Sequence, residues 1–340
     1  MNAILGLIII AIGSFCQSSS YVPIQKVKNW SWESFWLTQG VFAWLVFPFL
    51  GTLLVAAQGV PLSELLIDKD NLMVVVYGAL WGIGGLTFGL SMRYLGVALG
   101  QSIALGTCSA FGTLLPAIFA GDDLFSGGGL ILLIGVSITL LGIAVIGYAG
   151  ALRSRNMSEE EKRKAIKDFA LTKGLLVALL AGVMSGCFAL GLDAGTPIKE
   201  SAINAGVAPI FAGLPVIFLV TFGGFISNLI YCVYGNIKRK EKIAYILPQK
   251  QFVQNMLFSA LAGVLWYSQF FGLEIGKSLL VDSPILLAFS WSILMTLNVL
   301  FSNFWGVVLK EWKGSGKTTM RVLIIGILVL ILSIFFPSLF

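Results

Sequence analysis

The charged residues of this chain are gathered into short segments, and the long stretches between them carry almost none. An apolar run of about 18 residues is long enough, as a helix, to cross a hydrocarbon core of roughly 30 Å. Ten such runs can be placed: 3–21, 34–57, 72–91, 95–119, 127–150, 174–194, 207–234, 252–274, 284–309 and 321–339. They consume nearly the whole chain, so no soluble domain is expected beside them. Only 11% of the 340 residues are charged and 57% are hydrophobic. A soluble domain carries about 25% charge. The expectation is an all-α polytopic membrane protein with ten transmembrane helices.

Several residue types narrow the chemistry. The 39 glycines suit helices whose backbones approach closely. Cys16, Cys108, Cys187 and Cys232 lie inside apolar runs without CxxC spacing, and read as small buried hydrophobes. Histidine is absent, so imidazole proton relays and histidine metal sites are excluded. Residues 3–21 lack the basic start and the small-residue cleavage site of a signal peptide, and read as a retained first helix.

The basic residues orient the spans. Of the 22 Lys and Arg residues, only Lys69, Lys199 and Lys277 fall in even-numbered connections. Basic residues near span ends stay on the cytoplasmic side, so both termini are expected on the outer, periplasmic face. The longest basic stretch, 151–173, divides the spans into two sets of five: residues 1–150 and 174–340. Within it, 158–169 reads as a small surface helix. An odd number of spans per half inverts the second half relative to the first. Short echoes agree: Pro23-Ile24 with Pro197-Ile198, and Leu80-Trp81 with Leu265-Trp266. Inverted repeats are a recurring architecture of secondary transporters, with the substrate near the midplane.

Two motifs fail on inspection. Gly314-Ser315-Gly316-Lys317-Thr318 resembles a phosphate-binding loop, but Glu311 stands where its first glycine belongs. Gly82-Ile83-Gly84 resembles a dinucleotide fingerprint, but Thr87 occupies its third position, inside a span. No cofactor, no metal and no nucleic-acid partner is expected. A catalytic cluster is not found either, so an enzyme is not expected.

Polar residues inside spans are costly and therefore informative. Ser14, Gln17 and Ser18 share one helix face by their spacing. Gln101, Asn228, Tyr267, Ser268 and Gln269 add amides and hydroxyls, and Asn298 and Asn303 lie in the ninth span. Trp36, Trp44, Trp81, Trp266 and Trp291 offer flat apolar platforms. Amides paired with aromatic platforms suit a sugar, whose hydroxyls need donors and acceptors and whose apolar face stacks on indole. Interhelical bonding and interface anchoring are the plainer reading of each residue taken singly. Glu33 is either a first-turn acid matching the helix dipole or a proton carrier. Asp193 and Glu274 lie at span ends, where each is either a proton-coupling site or a solvated span end.

The stretch Lys26-Val27-Lys28-Asn29-Trp30-Ser31-Trp32-Glu33 resembles a signature of the L-rhamnose–proton symporter family. So do Trp81-Gly82-Ile83-Gly84 with Gly89-Leu90-Ser91-Met92-Arg93-Tyr94-Leu95-Gly96, then Leu265-Trp266-Tyr267-Ser268-Gln269-Phe270-Phe271, then Val308-Leu309-Lys310-Glu311-Trp312. The resemblance runs along nearly the whole chain. It implies a drug/metabolite transporter (EamA-like) fold of two inverted five-helix repeats in the bacterial inner membrane. It implies L-rhamnose, or a closely related deoxy sugar, entering with a proton. It favours Glu33 as the coupling acid and counts against Glu274 and Asp193, of which Asp193 is retained as the second proton-coupling candidate. The expected sugar-binding residues are Gln17, Ser18, Trp36, Trp81, Gln101, Asn228, Trp266, Tyr267 and Gln269. The same fold carrying or exporting another sugar or polar metabolite is the alternative; a passive channel is a third.

Overall fold

The computed structural model describes residues 2–66, 71–95, 97–155, 171–239, 248–310 and 312–340. The regular elements among them are helices. They are α1 (Asn2–Ser19), α2 (Tyr21–Ile24), α3 (Trp32–Gly40), a π-helix (Val41–Val46), α4 (Phe47–Ala56), α5 (Leu62–Leu66), α6 (Asn71–Leu95) and α7 (Val97–Phe119). There follow α8 (Gly127–Arg155), α9 (Leu171–Ala194), α10 (Thr196–Asn204), α11 (Leu214–Arg239), α12 (Gln249–Leu279), α13 (Pro284–Val308), α14 (Gly316–Phe335) and a 3-10 turn (Phe336–Leu339). Among the described residues, nine helices are long and apolar enough to cross a membrane. α7 is a further helix of 23 residues, whose fully described apolar part is Ile103–Phe119. The surface helix expected over 158–169 lies outside the described residues.

The helices bury small and polar residues among Leu, Ile and Phe side chains, and turn further large apolar residues outward. α1 buries Gly6, Ile10, Gly13, Ser14 and Gln17 on one face. Its opposite face exposes Ile4, Leu5, Ile8, Ile12 and Phe15. Leu328 on α14 is 59% exposed and Leu257 on α12 is 66% exposed. In water such surfaces would associate; in hydrocarbon they are matched by lipid tails. The chain is a multi-pass membrane protein.

Three spans are less simple than their hydropathy. The first stops at Ser19, and Pro23 sits in the separate short helix α2. The seventh begins at Leu214 rather than 207, because Val207–Gly213 forms turns around Pro209 after Gly206, whose φ is +91°. The second is an α–π–α composite. Pro48 explains it. Proline lacks an N–H for the carbonyl four residues back, and its ring clashes with that carbonyl, here Trp44. The backbone widens instead, and the Phe47 N–H bonds to the Phe42 carbonyl five residues away.

The fold divides into two compact units, each drawn from both halves of the sequence: Met1–Gly82 with Gly191–Leu280, and Ile83–Leu190 with Val281–Phe340. In the first unit α1 lies antiparallel on α12. A Cβ on Gly6 would fall 2.9 Å from the Gly276 carbonyl, and one on Gly13 would fall 2.7 Å from the Ser268 carbonyl. Only bare Cα atoms allow this approach. The loop before α3 is fastened to α12 by Asn255. Its amide donates to the Lys28 carbonyl at 2.8 Å and accepts from the Lys28 N–H at 3.2 Å. Asn29 turns the chain with φ +58°. Ser31 then caps α3 by accepting the Ser34 N–H at 3.1 Å.

In the second unit α8 packs between α7 and α14 around Ile143, Ile146, Ala149, Val299, Leu323 and Leu330. Arg153, at the end of α8, lies 5.5 Å from the Trp312 ring centre.

Candidate functional site

Four indoles meet inside the first unit. The Trp44 ring stands at 5.6 Å from Trp36, 5.9 Å from Trp81 and 6.1 Å from Trp266, edge to face each time. Trp81 and Trp266 face one another at 5.7 Å with 35° between planes. Phe270 extends the cluster, 5.1 Å from Trp266. Such offset and T-shaped pairings match the positive edge of one ring to the negative face of another. The two tryptophans that echo each other in sequence are therefore neighbours in space.

Asn228 holds this cluster in place. Its Oδ1 accepts the Trp36 indole N–H at 2.8 Å. Its Nδ2 donates to the Gly224 carbonyl at 2.7 Å and to the Gly82 carbonyl at 3.3 Å. Gly224 leaves room for the Trp81 ring, which a Cβ there would strike. One buried amide thus fixes α3, α6 and α11 around the rings.

The remaining polar residues lie on α1 and α12. The Ser18 hydroxyl donates to Gln17 Oε1 at 3.3 Å. The antiparallel register that sets Gly6 by Gly276 and Gly13 by Ser268 carries Gln17 to the level of Trp266. Gln269 donates to the Trp266 carbonyl at 3.1 Å. The Tyr267 hydroxyl is buried with no hydrogen-bond partner among the described residues. It points at Gly51, where a Cβ would fall 2.5 Å from the oxygen. Ser14 Oγ, Gln39 Oε1 and Trp44 Nε1 are likewise buried without a partner among the described residues. The Gln101 side chain lies outside the described part.

The three acids differ. Glu33 is 3% exposed and lies in the first turn of α3. It stands three residues before Trp36, so the two share a helix face. Asp193 is exposed near the end of α9. Glu274 is buried and matched by two cations, Lys199 Nζ at 3.1 Å and Lys277 Nζ at 3.7 Å.

The second unit has its own polar seam. Ser109 and Ser292 share a hydrogen bond of 3.0 Å, with Thr139 3.4 Å from Ser292. Trp291 stacks on Phe188 at 5.7 Å and donates to the Cys108 carbonyl at 3.3 Å. Its indole N–H is thus used within the helix pair.

The residues in the first unit offer apolar ring faces, a buried amide network, the Tyr267 hydroxyl and the Gln39 amide oxygen without partners among the described residues, and a buried carboxylate one turn from Trp36. Groups of this kind hold and release a polar solute without changing its bonds, and in a chain that crosses the membrane repeatedly they make a transporter. More particularly, the chain belongs to the L-rhamnose-proton symport protein (RhaT) family, whose description it matches over residues 1–339. It is 36% identical over 341 residues to the L-rhamnose-proton symporter of Mannheimia succiniciproducens, covering 98% of this chain and 96% of that one. It is 35% identical over 336 residues to the L-rhamnose-proton symporter of Yersinia pestis (strain Pestoides F), covering 97% and 96%. The family transports a sugar with a proton and is not an enzyme family.

Sequence reasoning overlooked Gln39 and Asn255 and saw Trp44 only as a platform. Pro48, four residues beyond Trp44, was the available signal for an irregular turn there. Nothing in the sequence pairs Lys199 with Glu274, which stand 75 positions apart.

Proposed function

We propose that this protein imports L-rhamnose together with a proton, by alternating access, across the bacterial inner membrane. Its family membership and the names of its relatives support the cargo and the coupling ion. The four-indole cluster tied by Asn228 carries the reading structurally, because stacked rings and buried amides are the chemistry of monosaccharide recognition. In this reading Gln17, Ser18, Trp36, Trp81, Gln101, Asn228, Trp266, Tyr267 and Gln269 contact or frame the sugar. Glu33 carries the proton, since it is the buried acid nearest in sequence to the cluster and shares a helix face with Trp36. Asp193 is the second coupling candidate.

The chain crosses the membrane ten times in this reading, with both termini periplasmic. Residues 1–150 and 174–340 form two five-helix repeats of opposite orientation, joined by a cytoplasmic linker over 151–173. Three features support the repeat: the confinement of basic residues to alternate connections, the short proline-bearing helices α2 and α10 that follow the first long helix of each half, and the Trp81–Trp266 ring pair. Accessibility of single cysteines at residues 2 and 340 from the periplasm tests the orientation.

The decisive assay is uptake into proteoliposomes carrying an inward proton gradient. Labelled L-rhamnose accumulates above its external concentration, and a protonophore abolishes the accumulation. Equilibration without accumulation means a passive pathway. Accumulation of another solute in place of rhamnose means a different cargo.

A further inference from the structure

The π-turn in the second span sets Trp44 apart from the other three indoles. Trp44 is 4% exposed and sits in the middle of the ring cluster. The Trp36 N–H is committed to Asn228. The Trp44 N–H has no partner among the described residues, although it is buried. A buried donor in this state carries the desolvation penalty in full unless a water or a ligand meets it.

The surroundings of Trp44 point the same way. Its six-membered ring folds back over Gly40, whose missing side chain makes the room; a Cβ there would fall 2.5 Å from the ring. Gln39 precedes Gly40 directly. It is 5% exposed, and its Oε1 also lacks a partner among the described residues. The indole N–H lies on the ring edge opposite Gly40, so an unpartnered acceptor and an unpartnered donor, among the described residues, stand five positions apart along a span that includes a π-turn, and π-turns recur at functional sites. Pro48 enforces that turn, and α12 braces it through Gly263, which packs on the Ala43 backbone.

Resting on the sugar reading above, we propose that Trp44 Nε1–H and the Gln39 amide form a donor–acceptor pair for hydroxyls of the bound sugar. Trp36, Trp81 and Trp266 supply stacking surface, and the π-turn gives the site its directional contacts. Sugar hydroxyls both donate and accept, so each of the two groups can serve a hydroxyl of its own.

Equilibrium binding to the purified full-length protein in lipid nanodiscs tests this. The ligands are L-rhamnose and its 2-, 3- and 4-deoxy analogues. Trp44→Phe keeps the ring stack and deletes the N–H. It weakens rhamnose about tenfold, the loss of one good hydrogen bond. One deoxy analogue, lacking the partner hydroxyl, binds wild type and Trp44→Phe alike. Gln39→Leu shows the same pattern for its own hydroxyl and stands as the independent variant should Trp44→Phe misfold. Equal weakening across all four ligands in both variants means a packing role and overturns the proposal, as does unchanged rhamnose affinity. Wild type that binds no rhamnose overturns the cargo instead.

Discussion

The Trp36 indole N–H donates to the Asn228 amide oxygen at 2.8 Å, across 192 positions of sequence. This bond, with the Asn228 amide on the Gly82 and Gly224 carbonyls, sets three helices around the indoles. Replacing Asn228 by Ala removes the acceptor of the Trp36 indole N–H and the side-chain tie to two helix carbonyls. We expect a loss of about 1–3 kcal/mol, read as a lowered melting temperature, together with weakened rhamnose binding. Asn228→Ala with wild-type affinity removes Asn228 from the site.

Glu33 separates coupling from binding. Glu33→Gln keeps the size and hydrogen-bonding reach of the side chain but cannot give up a proton. Concentrative uptake is lost, while exchange of labelled for unlabelled rhamnose persists. Full accumulation by this variant would falsify the assignment, and Asp193→Asn then becomes the next variant to measure.

The Lys199–Glu274–Lys277 cluster is expected to be structural. Glu274→Gln leaves two lysines facing each other without a counter-charge. Breaking a fully buried pair costs about 3–5 kcal/mol; the cost here is smaller, because both lysines are 26% exposed. A lower melting temperature with unchanged rhamnose affinity is the expected result. Loss of proton-driven uptake without loss of stability contradicts it.

The α1–α12 seam predicts a sharp contrast between the two faces of α1. Gly13→Val drives a Cβ to 2.7 Å from the Ser268 carbonyl, and overpacking of this kind costs about 1–3 kcal/mol. Ile12→Val, on the 58% exposed lipid side, leaves the melting temperature within error. Similar effects from both variants refute the seam.

Pro48→Ala restores an N–H opposite the Trp44 carbonyl and lets the π-turn relax toward α-helix. Rhamnose binding falls, yet the melting temperature holds or rises, because a regular hydrogen bond is gained. Unchanged binding means the turn does not set the Trp44 position.

Much of this architecture was legible in the sequence. The run at 127–150 reappears within α8 and the run at 284–309 reappears as α13, because a helix that must satisfy its own backbone in hydrocarbon has little freedom of boundary. The seventh span was read too long at its start, where Pro209 and Gly206 make turns out of apolar residues that hydropathy counts as membrane. The Leu-Trp echo marks Trp81 and Trp266 as matching positions of the two halves, and the structure adds that their rings stand 5.7 Å apart. Gln39 was passed over because a lone amide in an apolar run looks the same whether it bonds a neighbouring helix or a ligand.

Membrane location, charge distribution and family membership can all be read along the chain. These follow from solvation, which acts residue by residue along the chain. Which polar groups find partners among the described residues is set instead by the packing of distant helices. The packing matches Trp36 with Asn228 and Glu274 with Lys199, and leaves Trp44 and Gln39 without partners among the described residues, by a π-turn. Hydrogen bonding depends on distance and direction between residues far apart in the chain, and no local pattern records that.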